Sequence, residues 1–134
     1  MAALLDASSL LAYLHDEAGA DVVTDAIAQG DTVMSVVNWS ETLSKWADLG
    51  EDPAHLAQKL EEEGLIGGTV DLIPVTPEDA VAIAQLRPLT RDLGLSLGDR
   101  TCIATAIRLG FRALTADRTW ADVELEGFSV QLIR

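Results

Sequence analysis

One cysteine, Cys102, is all that the 134 residues contain, which excludes an internal disulfide and any zinc site built from several thiolates. A chain that needs no disulfide suits a reducing compartment, so a cytoplasmic location is expected and Cys102 reads as core filler. Basic residues are scarce as well. Nine Lys and Arg stand against 22 Asp and Glu, for a net charge of −13, and a surface this acidic repels nucleic acid over most of its area. The scarcity is uneven: residues 1–86 carry 16 acids and two bases, whereas residues 87–134 carry six acids and seven bases. A polyanionic partner would therefore approach the C-terminal part, or an acidic site screened by metal. Residues 1–14 hold Asp6 and no Lys or Arg, so the apolar start lacks the basic flank of a signal peptide. No apolar run approaches the roughly 20 residues of a membrane span. His15 and His55 are isolated, with no partner at metal-ligand spacing. Repeats, low-complexity segments and linkers are missing too, and the length suits one domain over residues 1–134.

What the chain does have is a regular alternation of short apolar runs and helical periodicity. Ala2-Ala3-Leu4-Leu5, closed by Asp6, reads as a buried strand of a parallel sheet. Helices are expected over Ser8 to Leu14 and Gly19 to Gln29, then a strand over Thr32 to Ser35. The helix Val36 to Leu49 collects Val36, Trp39, Leu43, Trp46 and Ala47 on one arc. The Trp39, Leu43, Trp46 stripe is either core or a groove for a partner helix. Pro53 to Glu63 follows as a short helix, and the proline in the strand Val70 to Val75 argues for a sheet edge. The next helix starts at Thr76 and should kink or end near Leu86, because Pro88 follows. A helix carrying Leu95 to Ala106, a strand Arg112 to Thr115, a loop Asp117 to Trp120 and a last strand Phe128 to Ile133 complete the chain. Strands alternating with helices predict an α/β fold, a small and largely parallel sheet with helices on both faces.

Four acids stand out by position. Asp6 and Asp117 end strands, while Glu41 and Asp99 are expected in the first turns of helices that follow sheet elements. On a wheel of 100° per residue, Asp99 shares its face with Ile103 and Ala106 and so looks inward, while Arg100, Ala104 and Arg108 point elsewhere. Each acid also has a local explanation. Asp6 suits an N-cap or Asx turn, Asn38 with Glu41 fits a capping box, and Ser96 with Asp99 fits another. In a parallel sheet, however, all four positions converge on one edge. Four carboxylates there repel, and a hard divalent cation with oxygen ligands, Mg2+ or Mn2+, resolves the repulsion. Such a cation suits phosphodiester hydrolysis, because it polarises the phosphoryl oxygen and lowers the pKa of an attacking water. Arg118, Arg100 and Arg91 are the candidate phosphate contacts, since the C-terminal part holds most of the bases.

Four segments carry a resemblance: Leu4-Leu5-Asp6-Ala7-Ser8-Ser9, Met34-Ser35-Val36-Val37-Asn38-Trp39-Ser40-Glu41, Leu95-Ser96-Leu97-Gly98-Asp99 and Leu114-Thr115-Ala116-Asp117. In this order and over nearly the whole length, the chain resembles a PIN-domain ribonuclease of the VapC toxin type. The resemblance implies a sheet of strand order 3-2-1-4-5 and a catalytic metal site of Asp6, Glu41, Asp99 and Asp117 loaded with Mg2+ or Mn2+. It also implies an RNA substrate cut by metal-activated water, a homodimer, and a cognate antitoxin that blocks the site. By the same analogy Ser8 and Thr115 orient acids or water, although helix capping and turn bonding would explain both. Arg100 departs from the pattern: beside Asp99 it is placed to bind phosphate or to pair with an acid. Two other classes compete. A receiver-type phosphoacceptor would need a late-strand lysine, and no lysine follows Lys59. A noncatalytic PIN-like module acting through protein partners would keep the fold without the chemistry.

Overall fold

Strand β1, Ala3–Leu5, is the middle of the sheet, and its three residues are fully buried, which is why the opening apolar run shows no alternation. The computed structural model describes residues 2–134. Four more strands join β1: β2 Thr32–Ser35, β3 Val70–Ile73, β4 Arg112–Thr115 and β5 Val130–Leu132. All four pairings are parallel, in the order β3-β2-β1-β4-β5. The expected class and strand order are therefore observed. Leu5 lies opposite both Met34 and Leu114, and these three side chains share one core with Ala3, while Leu4, Val33 and Ala113 point to the other face.

Helices cover both faces. Against the Leu5 face pack α1 Ala7–Leu14, α2 Ala20–Gln29, α3 Val36–Asp48 and α4 Pro53–Glu62, through residues such as Leu10, Val23, Trp39 and Leu60. Against the Leu4 face pack α5 Pro77–Thr90 and α6 Leu97–Leu109, through Ile83, Leu86, Cys102 and Ile103, with Trp120 completing that core. Helix starts follow side-chain caps. Asp6 caps α1 by accepting from Ser9 N, Ser35 caps α3, and Asp52 before Pro53 caps α4. Reciprocal capping boxes open α5, between Thr76 and Asp79, and α6, between Ser96 and Asp99. The last ordered pieces of chain close on the first: at Gly19, where φ is +95°, a Cβ would collide with the Ile133 carbonyl, so only glycine lets β5's end dock on the start of α2. Arg134 Nη1 adds a bond of 3.0 Å to Ala18 O.

Two expectations need correction. Helix α5 runs through Pro88 to Thr90 instead of stopping near Leu86. Pro88 sits in the last turn, the residue it leaves without an N–H donor, Ala84, is at the exposed surface, and buried Leu86 and Thr90 anchor the turn with a Thr90 Oγ1 to Leu86 O bond of 2.8 Å. Helix α6 is not one-faced: Gly98, Thr101 to Ala106 and the intervening Ala104 are all buried, because α3, α5 and the sheet surround it. Of the two readings of the Trp39, Leu43, Trp46 stripe, core is the one observed: Trp39 is 6% exposed, and Leu43 and Trp46, partly buried, pack on the same cluster. Pro74, as expected, follows an edge strand. Among the described residues no helix is long and apolar enough to cross a membrane.

Strand order decides where a site can form. The chain moves from β1 out to β2 and β3, then returns to place β4 on β1's other side, so connections reverse direction between β1 and β4. Beyond the C-terminal ends of those two strands a crevice opens, as in other open α/β sheets. Asp6 follows β1 directly, and Thr115 ends β4.

Candidate active site

Asp6 is the deepest of the four acids, 5% exposed. Three donors hold its carboxylate: Ser9 N at 2.8 Å, Ser8 Oγ at 2.8 Å and Thr115 Oγ1 at 2.5 Å. Ser8 and Thr115 thus both serve Asp6, and they are also tied together, since Ala116 N donates to Ser8 Oγ and Asp117 N to Thr115 Oγ1. Burial raises the Asp6 pKa above its ordinary 3.8, against the lowering by the bonds from Thr115, Ser9 and Ser8.

Glu41 arrives from α3, but differently from expectation. The cap is Ser35, whose Oγ accepts from Val37 N, so Asn38 lies inside the helix and Glu41 falls in the second turn. Asn38 forms no capping box with Glu41. Its side chain is 1% exposed, and Nδ2 donates to Glu41 Oε1 at 2.7 Å and to Gly98 O at 3.0 Å. Nothing in the sequence pattern distinguished this amide from an ordinary cap. A polar residue three places before an acid fits both roles.

Asp99 and Asp117 each use one oxygen for capping. Ser96 N donates to Asp99 Oδ2 at 2.9 Å, and Thr119 N and Oγ1 donate to Asp117 Oδ1 at 3.0 and 2.7 Å. Among the described residues, the second carboxylate oxygens of Asp99, Asp117 and Glu41 make no hydrogen bond. Local capping and an outward-looking oxygen therefore coexist in the same side chains.

All four acids line one cavity of about 190 Å³, together with Ala7, Ser8, Leu11 and Lys45. Burial first, and then the charges of Asp6, Asp99 and Glu41, push the thiol of Cys102, in the core outside this lining, well above its ordinary 9.0. Lys45, one turn after Glu41, is the single cation of the lining and was not anticipated. Arg100 does not join it. Its Nη1 donates to Ile83 O at 3.1 Å, toward α5, so it neither pairs with an acid nor faces the cavity. Arg118 is exposed next to Asp117, and Arg91 is exposed beyond α5. His15 stacks on Trp46 with ring centroids 4.9 Å apart, and so serves packing.

A comparison with protein-family models matches residues 3–125 to the PIN domain. This chain belongs to the PIN domain family. Similar solved structures agree with its fold. A toxin-antitoxin complex from Klebsiella pneumoniae contains a chain 19% identical, with a TM-score of 0.69 and 95% of each chain covered. The DNA-bound VapBC of Salmonella typhimurium gives 12% identity and a TM-score of 0.72 over 100% of this chain and 99% of that one. VapBC2 from Rickettsia felis, bound to a promoter DNA fragment, gives 12% and 0.72 over 98% of both. Among curated proteins no sequence matches.

In this PIN domain the acids surround the cavity without closing on a point. Among the described residues no group of three or more His, Cys, Asp or Glu side chains forms a ready-made metal site. The donor set still fits a hard divalent cation: it is all oxygen, and among the described residues three of the four carboxylates keep an oxygen without a hydrogen bond and no ion pair joins Lys45 to any of them. Asp6 accepts three donors on a group with about four acceptor sites, which leaves it one. A softer metal would want thiolate or imidazole. The one buried thiol, Cys102, lies outside the lining, and neither histidine is in it.

Proposed function

We propose that this PIN domain is a Mg2+- or Mn2+-dependent endoribonuclease, the toxin of a type II toxin-antitoxin pair. The observation that carries the reading is the four-carboxylate cavity at the reversal of the sheet, walled by side chains from four separate parts of the chain. Asp6, Glu41, Asp99 and Asp117 would hold the cation, which when bound polarises the phosphoryl oxygen and lowers the pKa of water. The chain's own residues do the rest. Ser8, Ser9 and Thr115 fix the Asp6 carboxylate and exclude water from it. Lys45 and Arg118 bring positive charge to a rim that would otherwise repel RNA phosphates. The toxin-antitoxin complexes with this fold support an antitoxin partner, and a homodimer and action in the cytoplasm belong to the same proposal.

The test is cleavage of single-stranded RNA by the purified chain, freed of antitoxin. Activity should require Mg2+ or Mn2+, stop in EDTA and vanish in Asp99→Asn protein. Unchanged cleavage in EDTA by that variant would mean a contaminating nuclease. One observation favours a second reading, a noncatalytic PIN-like module acting through protein partners: the acids do not form a closed metal group. Calorimetry separates the two, because the noncatalytic module predicts no heat of Mn2+ binding.

A further inference from the structure

Asn38 is a buried amide whose two N–H protons go to two different walls of the acid cavity. One reaches Glu41 Oε1, three residues on along α3, and the other reaches Gly98 O in the first turn of α6, next to Asp99. The opposite orientation of the amide would set its oxygen against two acceptors, so the donor assignment follows from the partners themselves. Gly98 supplies the other restraint. Its φ is not in the left-handed region, so glycine serves no backbone need there. It serves space, since the Glu41 carboxylate occupies the volume that a Cβ on residue 98 would fill. Glu41 is thus held between an amide donor and a bare stretch of α6 backbone.

The same amide is poorly served in return. Asn38 Oδ1 is buried without a hydrogen-bond partner among the described residues. A buried acceptor left alone costs stability that an apolar side chain of similar volume would not cost. Packing alone gives no reason to keep asparagine at this position. The gain lies in what Nδ2 does: it fixes one oxygen of Glu41 and leaves the other free, and it sets the spacing of α3 from α6, hence of Glu41 from Asp99.

We infer that Asn38 is a positioning residue, which aims the Glu41 carboxylate into the cavity and couples it to Asp99 through the Gly98 carbonyl. The inference rests on the metal-dependent reading of the site, and it concerns how this chain prepares its own ligands.

The test compares wild type with Asn38→Leu and Gly98→Ala by Mn2+ calorimetry on the metal-free full chain and by thermal melts in EDTA. Asn38→Leu should melt near the wild-type temperature, because removal of the unpaired acceptor offsets the loss of the two Nδ2 bonds, while Mn2+ affinity falls about 10- to 100-fold, as when other residues that orient metal ligands are lost. Gly98→Ala, which displaces the same carboxylate from the other side, should also weaken Mn2+ binding. A merely structural role reverses the pattern: a lower melting temperature with Mn2+ affinity within twofold of wild type overturns the assignment. Should Asn38→Leu not fold, Asn38→Ser carries the same comparison, since one hydroxyl proton cannot serve both Glu41 and Gly98. Wild-type protein that neither binds Mn2+ nor cleaves RNA sinks the nuclease reading and this inference with it. Wild-type binding matched by every variant sinks this inference alone.

Discussion

Two helices on the same face of the sheet begin with the same four-residue device and put it to different uses. Helix α5 opens on Thr76-Pro77-Glu78-Asp79 and α6 on Ser96-Leu97-Gly98-Asp99. In both, the hydroxyl oxygen accepts from the acid's N–H, and the acid's Oδ2 accepts from the cap residue's N–H at 2.9 Å. The other oxygen makes the difference. Asp79 Oδ1 accepts from Arg108 Nε of α6 at 2.8 Å, whereas Asp99 Oδ1 has no hydrogen bond among the described residues and its residue lines the acid cavity. Burial raises the Asp79 pKa, but the Thr76 bonds and the Arg108 charge outweigh it and hold the carboxyl below its ordinary 3.8. A capping box therefore settles half of an acid's environment. The neighbour reached by the remaining oxygen decides whether the acid is a brace or a ligand.

The sharpest way to break this contrast is to neutralise each acid while keeping its shape. Asp99→Asn should lower RNA cleavage by more than 100-fold, beyond what losing an orienting partner costs, and Asp79→Asn should leave it within about twofold of wild type. Mn2+ at a hundredfold over its dissociation constant should add about 2.7 kcal/mol to wild type and Asp79→Asn, and little to Asp99→Asn. Equal loss of cleavage in both variants would erase the distinction.

Truncation reads the structural side. Asp79→Ala removes a cap and a partly exposed ion pair together and should cost about 2 kcal/mol. Asp99→Ala in EDTA should cost about 1 kcal/mol or less, because relief of repulsion among the cavity acids offsets the lost cap. Urea titrations of both proteins decide it, and a larger cost for Asp99→Ala would make that residue chiefly a cap.

Acid titration gives a smaller signature. Because the folded-state pKa of Asp79 is depressed, the stability it contributes is fully present above 3.8 and is lost as pH falls through the folded value. Asp6 has the opposite sign: its folded pKa is raised, so its contribution declines as pH rises from 3.8 through the folded value. Wild type should then lose more stability than Asp79→Asn on acidification below about pH 4, and in EDTA Asp6→Asn should lose less than wild type as pH rises above it. Melting temperatures across pH 2.5 to 7 measure both slopes, as does their absence.

The smallest effect concerns the cations. Arg108 is engaged by Asp79, while Lys45 lines the cavity with no ion pair among the described residues. Lys45→Ala should reduce the slope of log binding constant against log salt for single-stranded RNA by about 0.7, and Arg108→Ala should leave that slope unchanged. An unchanged slope in Lys45→Ala would place the RNA on another surface.

Much of this was legible in the residues. The run Ala3-Leu4-Leu5, the regular caps and the acids that end strands point to the sheet and its loaded edge, because those signals are local. Most of what escaped depends on packing. Pro88 promised a helix end, but the buried side chains on either side of it, Leu86 and Thr90, hold the turn. Asn38 matched a cap, yet Ser35, one turn earlier, takes that position. Arg100 sits beside Asp99 in the chain and turns to another helix, while Lys45, among the few bases of the acidic half, is at the cavity. A wheel drawn for α6 assumed one buried side, and the fold surrounds it. The misses at Arg100 and α6 are tertiary partners that no window of ten residues contains, whereas the Ser35 cap lay three residues from Asn38.

The bond from Thr115 Oγ1 to Asp6 Oδ2 spans 109 residues of chain, and this bears on when the site comes into being. Synthesis runs from the N-terminus at about 5–20 residues per second, so Asp6 and Glu41 emerge seconds before Asp99 and Asp117 exist. Until β4 has inserted beside β1, the first two acids are two ordinary surface carboxylates on an incomplete sheet. Pairing of strands so far apart is the slow kind of folding event. A nascent or truncated chain that ends before β4 lacks Asp117 and the Thr115 bond to Asp6, so the four-acid cavity is complete only once residue 117 has been made.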